Sequence, residues 1–120
     1  MHTIVTDTDA GLIEITVEGF WTLEHVARFA ADIRANAREV RRTGKRQVIL
    51  YDYTRASIQS ADVVEALQRL ARDNALRSRK VALFTGSLLA KRQAVRIARE
   101  GEAIQVFDNR DAAIAWLKAA

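Results

Sequence analysis

Val48, Ile49 and Leu50 stand side by side in RQVILYDY, residues 46–53, with no polar residue between them. A strand sends successive side chains to opposite faces, so three adjacent apolar residues demand cover on both faces. That is the pattern of a central strand in a parallel sheet, and KVALFT at 80–85 repeats it. Parallel neighbours need long crossovers, usually helices, and the intervening segments supply them. Val26, Phe29, Ala30, Ile33, Ala37 and Val40 recur at three- and four-residue steps, which predicts a helix over 23–42 between a Thr22 cap and a stop at Gly44. Ser60 caps a second helix, with Val63, Val64, Leu67, Leu70 and Ala71 inward and Glu65, Arg69 and Asp73 at ion-pair spacings outside. SLLAKRQAVRIARE reads as a third helix from Ser87, AIQVF as a short strand, and DNRDAAIAWLKA as a last helix capped by Asp108 or Asn109, with Trp116 in its core face.

The amino-terminal part follows a different period. GLIEITVEG alternates apolar and polar residues, the signature of a half-buried strand, and HTIVTDTD before it reads as its partner. Asp9, Ala10 and Gly11 supply turn chemistry, so residues 2–8 pair with 11–18 as a hairpin. The order ββαβαβαβα predicts an α/β fold with a mostly parallel sheet, right-handed crossovers and one antiparallel edge strand. With 120 residues and no linker, repeat or low-complexity stretch, residues 1–120 form one expected domain, large enough to bury roughly two-thirds of its unfolded surface. There is no Pro, so helix stops depend on Gly44, Gly101 and polar residues.

Several function classes are closed by what the chain lacks. No Cys is present, which removes disulfides, thiolate catalysis and Cys-based zinc sites. No apolar stretch is long enough to span a bilayer and no basic segment precedes an apolar run near residue 1, so a cytoplasmic protein is expected. His2 and His25 have no His-x-x-x-His spacing or acid cluster beside them, and both are expected in solvent, with no metal or cofactor. FTGS at 84–87 resembles a phosphate-cradling turn, but neither a P-loop nor a dinucleotide fingerprint exists, so nucleotide hydrolysis is not supported. Ser57, His25 and Asp52 have no nucleophile elbow around them and do not make a triad. The cations Arg34, Arg38, Arg41, Arg42, Lys45 and Arg46, and the stripe Lys91, Arg92, Arg96 and Arg99, invite a nucleic-acid reading. Interspersed acids and the absence of interleaved aromatics favour solvated helix faces.

Ligands of open α/β sheets gather beyond the carboxyl ends of the strands, so the loops after residues 20, 53, 85 and 107 share the expected rim. It collects Phe20, Trp21, Tyr53, Thr54, Arg55, Ser57, Ser60, Thr85, Gly86, Ser87 and Lys91: hydroxyls, aromatics and cations around two helix starts, suited to an anionic or amphipathic ligand. Each position also has an ordinary structural reading. Ser60 and Ser87 suit N-caps, Thr54 and Ser57 suit turns, and Trp21 is either an exposed contact or a hydrophobic staple on Val26.

The element order, the strand ending LYDYT and the stretch SLLAKRQAVRIAREGEAIQVFDNRDAAIAWL together resemble the STAS superfamily, the sulfate transporter and anti-sigma factor antagonist domains. The chain is most similar to the SpoIIAA-like branch of mostly uncharacterised bacterial proteins, over nearly its whole length. In the antagonists the strand ends in Asp plus a hydroxyl residue, and an Asp-Ser-Ser-Gly motif then places a phosphorylatable Ser at a helix start. Asp52 and Thr54 match the first part, while Ser60, Ala61, Asp62 and Val63 stand against the second, with Asp62 at the acceptor position. The resemblance therefore implies a non-enzymatic binding or regulatory module without the kinase-controlled switch. It would engage a protein partner, a second copy of the chain or a small anionic or amphipathic ligand at the rim. The alternatives are a small-molecule enzyme on the same rim and a nucleic-acid accessory protein using the basic helices.

Overall fold

The adjacent apolar residues of the central strand do divide between two covered faces. In a computed structural model that describes residues 1–98 and 104–119, Ile49 joins a buried cluster with Phe29, Ile33, Val63 and Leu67, while Val48 and Leu50 join a second cluster with Ala113 and Leu117. The elements are β1 (His2–Asp7), β2 (Leu12–Gly19), α1 (Leu23–Arg42), β3 (Val48–Ala56), α2 (Ala61–Ala71), a 3-10 turn (Asn74–Leu76), β4 (Lys80–Phe84), α3 (Leu88–Ala98), β5 (Ile104–Phe107) and α4 (Arg110–Lys118). The order ββαβαβαβα is as expected. The expected extension of α3 to residue 100, the Gly101 stop, Arg99 of the basic stripe and the first residue of AIQVF lie outside the described residues.

Strand order in the sheet is β1-β2-β3-β4-β5, with β1 antiparallel to β2 and every other pair parallel. Because each right-handed crossover steps to the next strand in the same direction, α1, α2 and α3 fall on one face and α4 covers the other. The hairpin turns where expected. Asp7 Oδ1 accepts the backbone N–H groups of Asp9 and Ala10, and Gly11 follows at φ +68°. A Cβ on Gly11 would stand 2.6 Å from the Arg46 carbonyl oxygen, so the position admits only glycine without local movement.

Helix α1 begins at Thr22, whose hydroxyl accepts the His25 N–H at 3.1 Å, and ends before Gly44 at φ +74°. For α4 the structure chooses Asn109 as the cap, through the Ala112 N–H at 2.9 Å. Strand β3 runs three residues beyond the expected end at 53, because Glu18 and Gly19 pair with Arg55 and Ala56 after a register shift. That bulge extends the sheet into the rim and aims the residues after Tyr53 outward.

Candidate functional site

The carboxyl ends of β2 and β3 are joined by one side chain, and the backbone of the same residue ties them to α3. Gln59 is buried; its Oε1 accepts the Trp21 N–H at 2.7 Å, and its Nε2 donates to the carbonyls of Gly19 at 3.0 Å and Ser57 at 2.9 Å. Its backbone forms a reciprocal pair with Gln93 of α3, N–H to Oε1 at 2.9 Å and Nε2–H to carbonyl at 3.0 Å. The sequence reading passed over Gln59, since an amide in a polar loop carries no pattern that separates it from a solvated one.

Several expected rim groups serve the fold. Trp21 is 2% exposed, its indole N–H donating to the Glu18 carbonyl at 3.1 Å, so it is no exposed contact. Trp21 and Val26 share one buried cluster at the positions of a hydrophobic staple, N′ and N4 of α1. Thr85 is buried, donates to the Tyr53 carbonyl at 3.3 Å and accepts the Ser87 N–H. Tyr53 shares its face of β3 with Ile49 and Tyr51, because strand alternation turns these residues toward α1–α3 instead of the rim. Ser87 caps α3 through the Ala90 N–H. Ser60 occupies the N-cap of α2 but makes no side-chain cap; its hydroxyl donates to Asp62 Oδ1, which also accepts the Val63 N–H. The Ser60 bond, with that backbone bond behind it, holds the Asp62 carboxyl below its ordinary value and keeps a negative charge at the start of α2.

What remains open at the rim is Thr54, Arg55, Ser57, Gly86 and Ser87. Thr54 donates its N–H and hydroxyl to Asp52 Oδ1, at 3.0 and 2.6 Å. Arg55 lies 4.0 Å from Glu18, so its charge answers that acid, and Lys91 pairs with Asp108. Between these polar groups the same end displays large apolar side chains: Phe20, Leu23, Ile58, Leu88 and Leu89, each between 43% and 64% exposed. They come from the loops after β2 and β3 and from the first turns of α1 and α3.

The histidines are not in open solvent as expected; they link β1 to α1. A guanidinium can only donate, so Arg28 Nη2 donates to His25 Nδ1 at 3.2 Å, which leaves the His25 proton on Nε2. That N–H meets His2 Nδ1 at 2.9 Å, and His2 Nε2 donates to Asp32 at 2.7 Å. Burial first, and then the positive charge around it, lowers the His25 pKa. Below the ordinary histidine value the unfolded chain therefore binds a proton that folded His25 refuses. Stability is fully present above that value and declines as pH falls through it toward the folded pKa. Thermal melts from pH 7.5 to 5.5 are expected to show a steeper loss for the parent than for His25→Gln, and parallel losses would contradict the assignment.

Two further features lie away from the rim. A cavity of about 90 Å³ lies between the sheet and α1–α3, bordered by Ile33, Ile49, Tyr51, Tyr53, Leu67 and Ala94 among others. Burial raises the pKa of Tyr53 to about 12 and that of Tyr51 further, so both phenols keep their protons. At the amino ends of the strands, Arg41, Lys45, Arg46, Arg77 and Arg79 surround an open hollow of about 430 Å³ with no carboxylate in its lining. The basic run of α1 thus reaches its highest density where the 3-10 turn and β4 add cations. Arg34 of the same run pairs with Asp73 at 2.8 Å. Among the described residues no group of His, Asp and Glu is arranged to hold a metal ion, and no helix is long and apolar enough to cross a membrane.

No protein-family model and no curated protein matches the chain. Solved structures do. An uncharacterised protein of the DUF3478 family with a SpoIIAA-like fold, from Shewanella loihica PV-4, superposes with a TM-score of 0.71 at 20% identity, over 98% of this chain and 92% of its own. The anti-sigma factor antagonist SpoIIAA in its unphosphorylated form superposes with a TM-score of 0.67 at 16% identity, over the whole of both chains. With its hairpin, its sequentially ordered parallel strands and the helices on both faces, this chain has the SpoIIAA-like fold.

Proposed function

We propose that the chain is a non-enzymatic binding module that engages a partner protein at the carboxyl-end rim of β2, β3 and β4. The observation that carries this reading is the exposure there of Phe20, Leu23, Ile58, Leu88 and Leu89, interleaved with Thr54, Arg55, Ser57 and Ser87. Exposed apolar groups with polar residues between them have the composition of a protein interface. The expected anionic small ligand has less support, because Thr85 and Ser60 spend their hydroxyls internally, Lys91 is paired with Asp108, and Asp62 places a carboxylate at the start of α2. The likeness to an anti-sigma factor antagonist agrees with a partner-binding role.

The test is a double substitution, Ile58→Glu with Leu89→Glu, and a control, Val5→Glu, at an exposed residue of the edge strand. All are exposed, so each is expected to change folding stability by no more than about 0.5 kcal/mol. A partner identified by affinity capture and then purified should bind the double variant at least about tenfold more weakly in calorimetry and the Val5→Glu control normally. Arg55→Ala should weaken binding by a smaller factor. Unchanged affinity in the double variant would remove the rim from consideration.

A further inference from the structure

The cavity under α1–α3 makes no use of the rim, and its chemistry points elsewhere. Protein interiors leave few voids larger than a water molecule, and an apolar void stays dry because water needs several polar partners. Here the walls are apolar, with Ile33, Leu67 and Ala94 from the three helices, Ile49 from the sheet and the rings of Trp21 and Phe29. The polar exceptions on the strand are Tyr51 and Tyr53, two positions apart on one face of β3, with ring centroids 6.0 Å apart and ring planes at 82°. Neither phenol has a hydrogen-bond partner among the described residues. No fully enclosed side-chain polar atom in the described structure lacks a partner, so both oxygens border accessible space instead of packed protein.

We propose that this cavity binds a small, uncharged, mainly apolar molecule bearing one hydrogen-bond acceptor, held by the phenols of Tyr51 and Tyr53. The apolar walls reward burial of a hydrocarbon body. The two protonated phenols are donors, so the matching group is a carbonyl or ether oxygen, and a carboxylate or ammonium would lose its hydration without gaining an ionic partner. At roughly 10–15 Å³ per water-sized group, the space admits on the order of six to nine non-hydrogen atoms. Leu70, Ala71 and Ile97 line the cavity where α2 and α3 adjoin.

The test is a titration of the full chain with cyclohexanone, followed by amide nuclear magnetic resonance. Saturable shifts are expected at Tyr51, Tyr53, Leu67 and Ala94, with methylcyclohexane binding about fivefold more weakly and cyclohexanecarboxylate not at all. The Tyr51→Phe and Tyr53→Phe double variant keeps the rings, retains its fold and should hold the ketone no better than the hydrocarbon. Ala94→Leu fills the space and should abolish binding of both; Leu67→Phe, from α2, is a second filling variant should the first not fold. The inference is overturned if neither neutral probe gives saturable shifts, if binding persists undiminished in a folded filling variant, or if the double variant binds cyclohexanone as tightly as the parent. None of these residues takes part in the rim test, so the two readings stand or fall separately.

Discussion

Trp21→Ala is expected to lower the stability of folding by about 3–5 kcal/mol, the range for removing a fully buried large aromatic. The indole is 2% exposed and makes ring contacts with His2 at 5.9 Å, His25 at 4.4 Å and Phe29 at 5.1 Å. Truncation removes these contacts, leaves the Glu18 carbonyl without the indole N–H and enlarges the cavity that Trp21 already borders. Collapse into the vacated volume is opposed by the backbone bond from Trp21 to Gln59, which survives the substitution and holds the loop in place. Urea unfolding with an unchanged slope and a lower midpoint would report this loss directly. A cost below about 1 kcal/mol would mean that the side chain is not packed as described.

Gln59→Leu comes next in expected effect. The change is close to neutral in size, so its cost arises from polar groups left behind. The Trp21 N–H and the Ser57 carbonyl lose their partners, whereas the Gly19 carbonyl keeps the Ser57 N–H at 3.2 Å. At about 1–3 kcal/mol for each buried unsatisfied group, the loss should be roughly 2–6 kcal/mol, reduced by whatever water reaches the loop. Gln59→Glu separates the two halves of the role. It can still accept from Trp21 but turns a carboxylate oxygen toward the carbonyls of Gly19 and Ser57, so at neutral pH it should cost at least as much as Gln59→Leu and recover as the carboxyl is protonated at lower pH. Hydrogen exchange adds a local readout, since the Trp21 amide should lose protection before the amides of β3. Equal stability of parent and Gln59→Leu would show that the ends of β2 and β3 are held by other contacts.

Both variants act beneath the surface proposed for partner binding, and they bear on why that surface can stay apolar and ordered. Ile58 and Phe20 sit on loops that Gln59 and Trp21 tie down from inside. Exposed apolar groups on a fixed loop lose little further freedom on binding, which favours affinity. The order of the rim therefore depends on a buried amide and a buried indole beneath it.

The periodic elements were legible because period and burial are local properties of the chain. Val26, Phe29, Ile33, Ala37 and Val40 repeat at helical spacing, and all five are buried on one face of α1, whose span of 23–42 matches the sequence reading. Val48, Ile49 and Leu50 could not be buried on one face alone, so a covered parallel sheet followed from three adjacent letters. The turn residues were equally local, since Gly11 and Gly44 both adopt the positive φ that their positions suggest. The rim was legible as a place, because βαβ topology brings the carboxyl ends of the strands together whatever residues they carry.

Which side chains the rim would present was settled only by tertiary structure. A Trp before a helix cap can point in or out, and the choice depends on whether His2, His25 and Phe29 close around it from β1 and α1. Tyr53 turned inward with Ile49 and Tyr51 on the face of β3 that α1–α3 cover, and Thr85 turned inward because the Tyr53 carbonyl was within reach. The pairing of Lys91 with Asp108, the cations gathered by Arg77 and Arg79 and the two phenols bordering the cavity all join segments distant in sequence. Such contacts leave no periodic trace, because they are fixed by where the sheet places its strands and not by the spacing of letters along one of them.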